Sequence, residues 1–137
     1  MLPALILSAV FTVTMSVTDL MPSAGGQPNY VATDDNGFVQ TEARCERPQT
    51  PVAFGRTQQS LIAICGQGSD RFEYRGVRLS DGAVLTADAV EQRDNEFVAE
   101  SERLTYTFSA KELAITSGDE VIRTEPMVAF IESRAEG

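Results

Sequence analysis

From residue 38 onward the chain alternates between short apolar runs and turn-forming residues, with eight to twelve positions from one turn to the next. That spacing predicts an antiparallel all-β domain. Arg71-Phe72-Glu73-Tyr74-Arg75 sets Phe72 and Tyr74 against charges, and Leu104, Tyr106 and Phe108 alternate with Thr105 and Thr107. Both patterns have the two-residue period of a half-buried strand. Leu61-Ile62-Ala63-Ile64-Cys65 is continuously apolar, which predicts a strand covered on both faces. Further strands are expected over 38–44, 52–56, 83–89, 96–100, 112–116, 120–124 and 127–131. Thr57-Gln58-Gln59, Ser80-Asp81-Gly82, 92–95 and Ser117-Gly118-Asp119 supply the turns. Only 88–93 has a pattern that one turn of helix would also satisfy.

Past Gly76 the apolar positions become Val77 and Leu79, so the parity of the strand shifts by one. A glycine at a parity shift predicts a β-bulge there. About nine strands pairing mostly with their neighbours predict a small antiparallel barrel or sandwich, the two ways such strands bury one face each.

The N-terminus has a different pattern. Leu2 to Thr18 is apolar or small throughout, and Asp19 is the first charged side chain. Counted through Met21, the window is about 20 residues, the length of a helix crossing about 30 Å of hydrocarbon. The lack of a polar stripe weighs against a buried core helix. A membrane or signal anchor over 1–21 is the leading reading, with a cleaved signal peptide as the alternative. Pro22-Ser23-Ala24 would serve as the small-residue cleavage site. Residues 22–37, rich in Gly, Pro, Asp and Asn, read as a linker, 38–132 as the β domain and 133–137 as a tail.

Charge and composition narrow the chemistry. The net charge is −9, and there is no histidine and no tryptophan. Without histidine, the usual neutral-pH general base, the commonest metal ligand and the familiar nucleophilic triads are all absent. An acidic chain is a poor binder of nucleic acid, whose phosphates require positive surface. Residues 44–78 run against the overall sign, with six arginines and three acids, whereas 81–137 hold thirteen acids and five bases.

The two cysteines, Cys45 and Cys65, lie beyond the apolar N-terminus. In an extracytoplasmic setting they are expected to form one disulfide. Closing a loop of that size stabilises by about 3 kcal/mol. A metal pair would need further Cys or His ligands that the chain lacks.

Candidate sites are few. Asp34-Asp35-Asn36-Gly37 has the oxygen density of a calcium loop but lacks the spaced acids of an EF-hand, and reads as a turn. Ser80-Asp81-Gly82 has the wrong residue order for an aspartic-protease loop. Any two of the twenty acids could in principle serve a glycoside hydrolase, but nothing marks a pair. Arg71, Arg75 and Arg78 lie along one expected strand, with Arg71 and Arg75 on one face. Such a face could hold a carboxylate or phosphate, or dock an acidic partner. Cross-strand pairing with acids between Glu91 and Glu102 is the simpler account of the same residues.

Val52-Ala53-Phe54-Gly55-Arg56-Thr57, Ser60 to Cys65, Tyr74 to Ser80 and Glu125-Pro126-Met127 together resemble uncharacterised envelope proteins of mycobacteria and their relatives. In those proteins a hydrophobic or disordered N-terminal part precedes a small β domain. The resemblance spans about residues 45–131 and implies an actinobacterial, extracytoplasmic setting. It assigns no catalytic or binding residue.

The expectation is therefore a non-enzymatic interaction domain outside the cytoplasm, needing no cofactor, held to a membrane by its N-terminal helix and partnered by an envelope protein. A binding or sensor domain reading an anionic envelope component through Arg71, Arg75 and Arg78 is the alternative. A small carboxylate-based hydrolase is the third reading.

Overall fold

The computed structural model describes residues 31–134, and the expected N-terminal helix lies outside them. Eleven strands follow in chain order: β1 (Thr33–Asp34), β2 (Gly37–Phe38), β3 (Thr50–Arg56), β4 (Ser60–Gly66), β5 (Phe72–Arg78), β6 (Val84–Arg93), β7 (Glu96–Ser101), β8 (Leu104–Phe108), β9 (Glu112–Ser117), β10 (Glu120–Pro126) and β11 (Ala129–Glu132). Among the described residues no helix is long and apolar enough to cross a membrane.

Strands β3 to β11 form one antiparallel sheet in the order β10-β9-β8-β7-β6-β5-β4-β3-β11, curled into a half-barrel. It is a meander but for β11, which returns to pair with β3 (Ala129 opposite Arg56, Glu132 opposite Ala53). The turns marked in the sequence form, and a further one at Glu102-Arg103 (φ of 52° and 70°) joins β7 to β8 without a turn signal. Gly82 and Gly118 take the positive φ (76° and 61°) that their tight hairpins demand. Thr57 N–H donates to Ser60 O, while Thr57 Oγ1 accepts from the backbone N–H groups of Gln59 and Ser60.

The concave face carries the larger core: Ile62 and Ile64 of β4, Tyr74 of β5, Ala89 of β6, Phe97 and Ala99 of β7, Phe108 of β8, and Leu113 and Ile115 of β9. Paired strands bring these side chains onto one face, as where Tyr106 lies opposite Ile115 and Phe108 opposite Leu113. Register shifts around Val52, Gln92 and Ile122 insert extra residues in β3, β6 and β10. Such insertions bend a strand and raise its twist, which helps a sheet of this width to curl.

The convex face carries a second, smaller core of Phe38, Ala43, Cys45, Phe54, Leu61, Ala63 and Cys65, flanked by Val31, Val77 and Leu79. Residues 31–45 are folded over β3 and β4 here, and Cys45 is bonded to Cys65. Covering both faces of β4 explains its unbroken apolar run: all seven residues are buried.

Four local expectations are corrected. The run 38–44 is not a strand: Phe38 N–H donates to Ala43 O, Thr41 Oγ1 donates to Phe38 O, and Gln40 has a φ of 64°. Residues 31–37 are part of the β domain, because β1 and β2 form a hairpin and Val31 packs on the convex core. The segment 88–93 is strand throughout.

Gly76 does not bulge: β5 pairs with β4 in unbroken register from Phe72 opposite Gly66 to Arg78 opposite Ser60. The parity shift has another cause. Phe72 and Tyr74 face the concave core, whereas Val77 and Leu79 face the convex one, so the covered side changes while the alternation does not.

Candidate functional site

The curl leaves one end of the concave face open. There a hollow of about 450 Å³ is lined by Tyr74, Gly76 and Leu85 on β5 and β6, Leu104 and Tyr106 on β8, and Ile115 on β9, with Ile122 and Arg123 on β10. Ser60, Arg78, Ser101 and Glu102 add polar groups to the lining. That volume lies within the usual range for small-molecule sites, and the mouths of β-barrels are a common place to find them.

Two aromatic side chains shape the hollow. The rings of Tyr74 and Tyr106 are 5.6 Å apart. Gly76 lies beneath Tyr74, and a Cβ added there would stand 2.9 Å from the Tyr74 ring. Only a residue without a side chain lets the ring lie along its own strand. Burial, aided by Tyr106 and Glu125, pushes the Tyr74 hydroxyl well above the ordinary tyrosine range, so it stays protonated at any physiological pH.

Behind Arg123 lies the principal buried charge of the described residues. Glu125 is 1% exposed. Its Oε1 accepts a 2.7 Å hydrogen bond from Thr57 Oγ1, and its Oε2 accepts one of 2.8 Å from Arg123 Nε. Both carboxylate oxygens are thus engaged, which is what a charge removed from water requires. Simple alternation would put Val121, Arg123 and Glu125 on one face. The bulge at Ile122 turns Val121 outward, at 62% exposure, and brings Arg123 and Glu125 opposite the core residues Ile115 and Leu113. Nothing in the sequence of this mostly exposed strand announces that change.

The three arginines singled out in the sequence do not form one face: Arg71 and Arg75 line one groove, and Arg78 lies apart. With no bulge at Gly76, Arg75 and Arg78 lie on opposite faces of β5. Arg75 sits on the convex side, with Nη1 3.5 Å from Gln49 Oε1 and ion pairs at 3.8 Å to Glu42 and Glu73. Arg78 is exposed and pairs bidentately with Asp81 through Nε (2.9 Å) and Nη2 (2.8 Å). That pairing holds the Asp81 carboxyl down at about 2. Arg71 is exposed and lines, with Arg47 and Arg75, a separate groove beside Pro48 and Gly66. The acids that pair with Arg75 and Arg78 are Glu42, Glu73 and Asp81, not those between Glu91 and Glu102.

Cys45 and Cys65 form the disulfide, with Cα atoms 5.5 Å apart. In the 34–37 turn, Asp34 Oδ1 accepts from Asn36 N–H and Oδ2 pairs with Arg44 at 3.0 Å, so this carboxylate is already used. No group of three His, Cys, Asp or Glu side chains among the described residues is placed to hold a metal ion.

The far end of the half-barrel is closed by polar groups. Arg134, past β11, spans to Glu91 at the end of β6 with two bonds of 3.0 and 2.8 Å, and lies 5.8 Å from the centre of the Phe97 ring. The hollow is the open end, and Arg134 marks the shut one. Comparison of the chain with protein families, with curated proteins and with solved structures finds no match.

Proposed function

We propose that this chain is a non-enzymatic binding domain acting outside the cytoplasm, which takes up its ligand in the open mouth of the curled sheet. The carrying observation is the hollow itself, where Leu85, Leu104 and Tyr106 remain only partly covered around an apolar floor. A core that could close completely would have buried them, at about 25 cal/mol per Å² of apolar surface. Compartment is argued from the disulfide, since such bonds persist in oxidising environments. The apolar stretch at 2–18 would hold the domain at a membrane, as in the actinobacterial envelope proteins the sequence resembles.

A second reading is favoured by a separate feature. In the sheet order β10 has β9 on one side and no strand on the other, and Val121 and Ile122 are exposed on it. An envelope protein could pair with that edge by strand addition.

Binding of anilinonaphthalene sulfonate to the full-length oxidised protein tests the first reading. Fluorescence enhancement should saturate with one site, and Leu104→Asp should abolish it while circular dichroism stays unchanged. Unaltered binding by Leu104→Asp would remove the mouth as the site. Alkylation of intact cells followed by fractionation tests the compartment: Cys45 and Cys65 should be blocked as a disulfide, in the membrane fraction.

A further inference from the structure

The geometry points to an apolar ligand carrying an anionic head, with the head read by Arg123 and the apolar body laid along Leu85, Leu104, Tyr106 and Ile115. This inference rests on the mouth being the binding site, as proposed above, and goes beyond it in naming the ligand's chemistry.

Three observations carry it. First, Arg123 is held in place by the protein itself. Its Nε donates to the fully buried Glu125, whose other oxygen is fixed by Thr57. An arginine held at Nε keeps its two terminal nitrogens free, and among the described residues Nη1 and Nη2 of Arg123 have no hydrogen-bond partner. The side chain lines the hollow and is 44% exposed, so those donors are open to a ligand.

Second, the other guanidinium in the lining is already occupied. Arg78 gives Nε and Nη2 to Asp81. Arg78 keeps only Nη1 clear of its partner whereas Arg123 keeps both terminal nitrogens, and the planar fork of a guanidinium suits a carboxylate, phosphate or sulfonate. Glu102 also lines the hollow, and a cationic head would favour it instead.

Third, the hollow beside Arg123 is walled by the partly covered apolar side chains of Leu85, Leu104 and Tyr106. A partly apolar hollow with a fixed guanidinium is suited to an amphiphile rather than to a sugar or a bare inorganic anion.

Calorimetric titration of the full-length oxidised protein with decanoate, decanol and decyltrimethylammonium, each below its micelle concentration, separates the possibilities. Decanoate should bind at least tenfold more tightly than decanol, and Arg123→Gln should erase that preference, so that the two ligands bind the variant equally. Arg123→Lys keeps the charge without the fork, and should retain only part of the preference. It also serves if Arg123→Gln fails to fold. Equal binding of decanoate and decanol, unmoved by either variant, overturns the anionic-head inference and leaves the mouth reading intact. Tightest binding of the ammonium overturns it in favour of Glu102. If none of the three binds, both this inference and the proposed site fall.

Discussion

Thr57 Oγ1 donates a 2.7 Å hydrogen bond to Glu125 Oε1, joining residues 68 positions apart in the chain. The bond ties the β3–β4 hairpin to β10, the last strand at one end of the sheet order. The meander is thereby drawn round on itself without a ladder between those strands. Met127 and Val128 continue the crossing, with backbone N–H groups bonded to Lys111 O and Arg56 O.

Breaking this tie should be costly. Glu125→Ala leaves the Thr57 hydroxyl and Arg123 without their acceptor, and should lower stability by about 2 kcal/mol in urea titration. Thr57→Val should cost about 1–2 kcal/mol, because the same hydroxyl also accepts from Gln59 and Ser60. The double variant should cost less than the sum of the two, as expected for groups in one network. Strict additivity would deny the coupling.

Gly55 faces the concave core, where an added Cβ would stand 2.4 Å from the buried Phe108 ring and 2.8 Å from Met127 Sδ. Gly55→Ala should therefore destabilise by about 2 kcal/mol or more, as overpacking does. Gly68, with nothing within 4 Å of its added Cβ, is not a matched control because its φ is 127°. Phe108→Leu in the Gly55→Ala background supplies the control, and should restore part of the loss.

Removing the disulfide should affect the convex core first. Cys45→Ala/Cys65→Ala frees residues 31–45 from β4 and should cost about 3 kcal/mol, read from the guanidinium midpoint. Both cysteines are buried, at 4% and 0% exposure, so mild reductant should leave the folded protein oxidised until it opens. Rapid reduction of the native state would contradict that packing.

The shut end of the half-barrel should show a pH dependence. The hydrogen-bonded Arg134 guanidinium holds the Glu91 carboxyl below its ordinary value of 4.5. With the folded value depressed, the pair's stabilisation is complete above that ordinary value and is lost as pH falls through the lowered one. Arg134→Gln should lower the melting temperature by about 5 °C at pH 7, and the gap to the native protein should narrow below pH 4.5. Asp34 and Asp81 are likewise held down by arginines, so the native protein keeps part of its acid sensitivity in the variant. A gap that stayed constant from pH 7 to pH 3 would assign the loss to packing over Phe97 alone.

Forces that act over a few residues leave a pattern in the sequence, and those that act across the fold do not. Strand positions and hairpins were legible because alternation and turn chemistry act over a few residues: Phe72 and Tyr74, Leu104 to Phe108, and the Gly82 and Gly118 turns all stand where the pattern puts them. The disulfide was legible because two cysteines allow one intramolecular pairing. The run 38–44 misled because its apolar Phe38 and Ala43 belong to a looped cover, and a loop packed on a core has no period to read.

Local residue patterns specified an antiparallel sheet, most of its turns and its staple. Tertiary structure alone decided which face of each strand was covered. The change from concave to convex core along β5 looked like a bulge at Gly76, while the real bulge at Ile122 gave no sign. It also decided the site: Arg78 parted from Arg71 and Arg75, which line one groove, while Thr57 came to the Arg123–Glu125 pair from a distant part of the chain. Curling a sheet fixes neighbours by the sum of many small twists and register shifts, and no local pattern of residues records that sum.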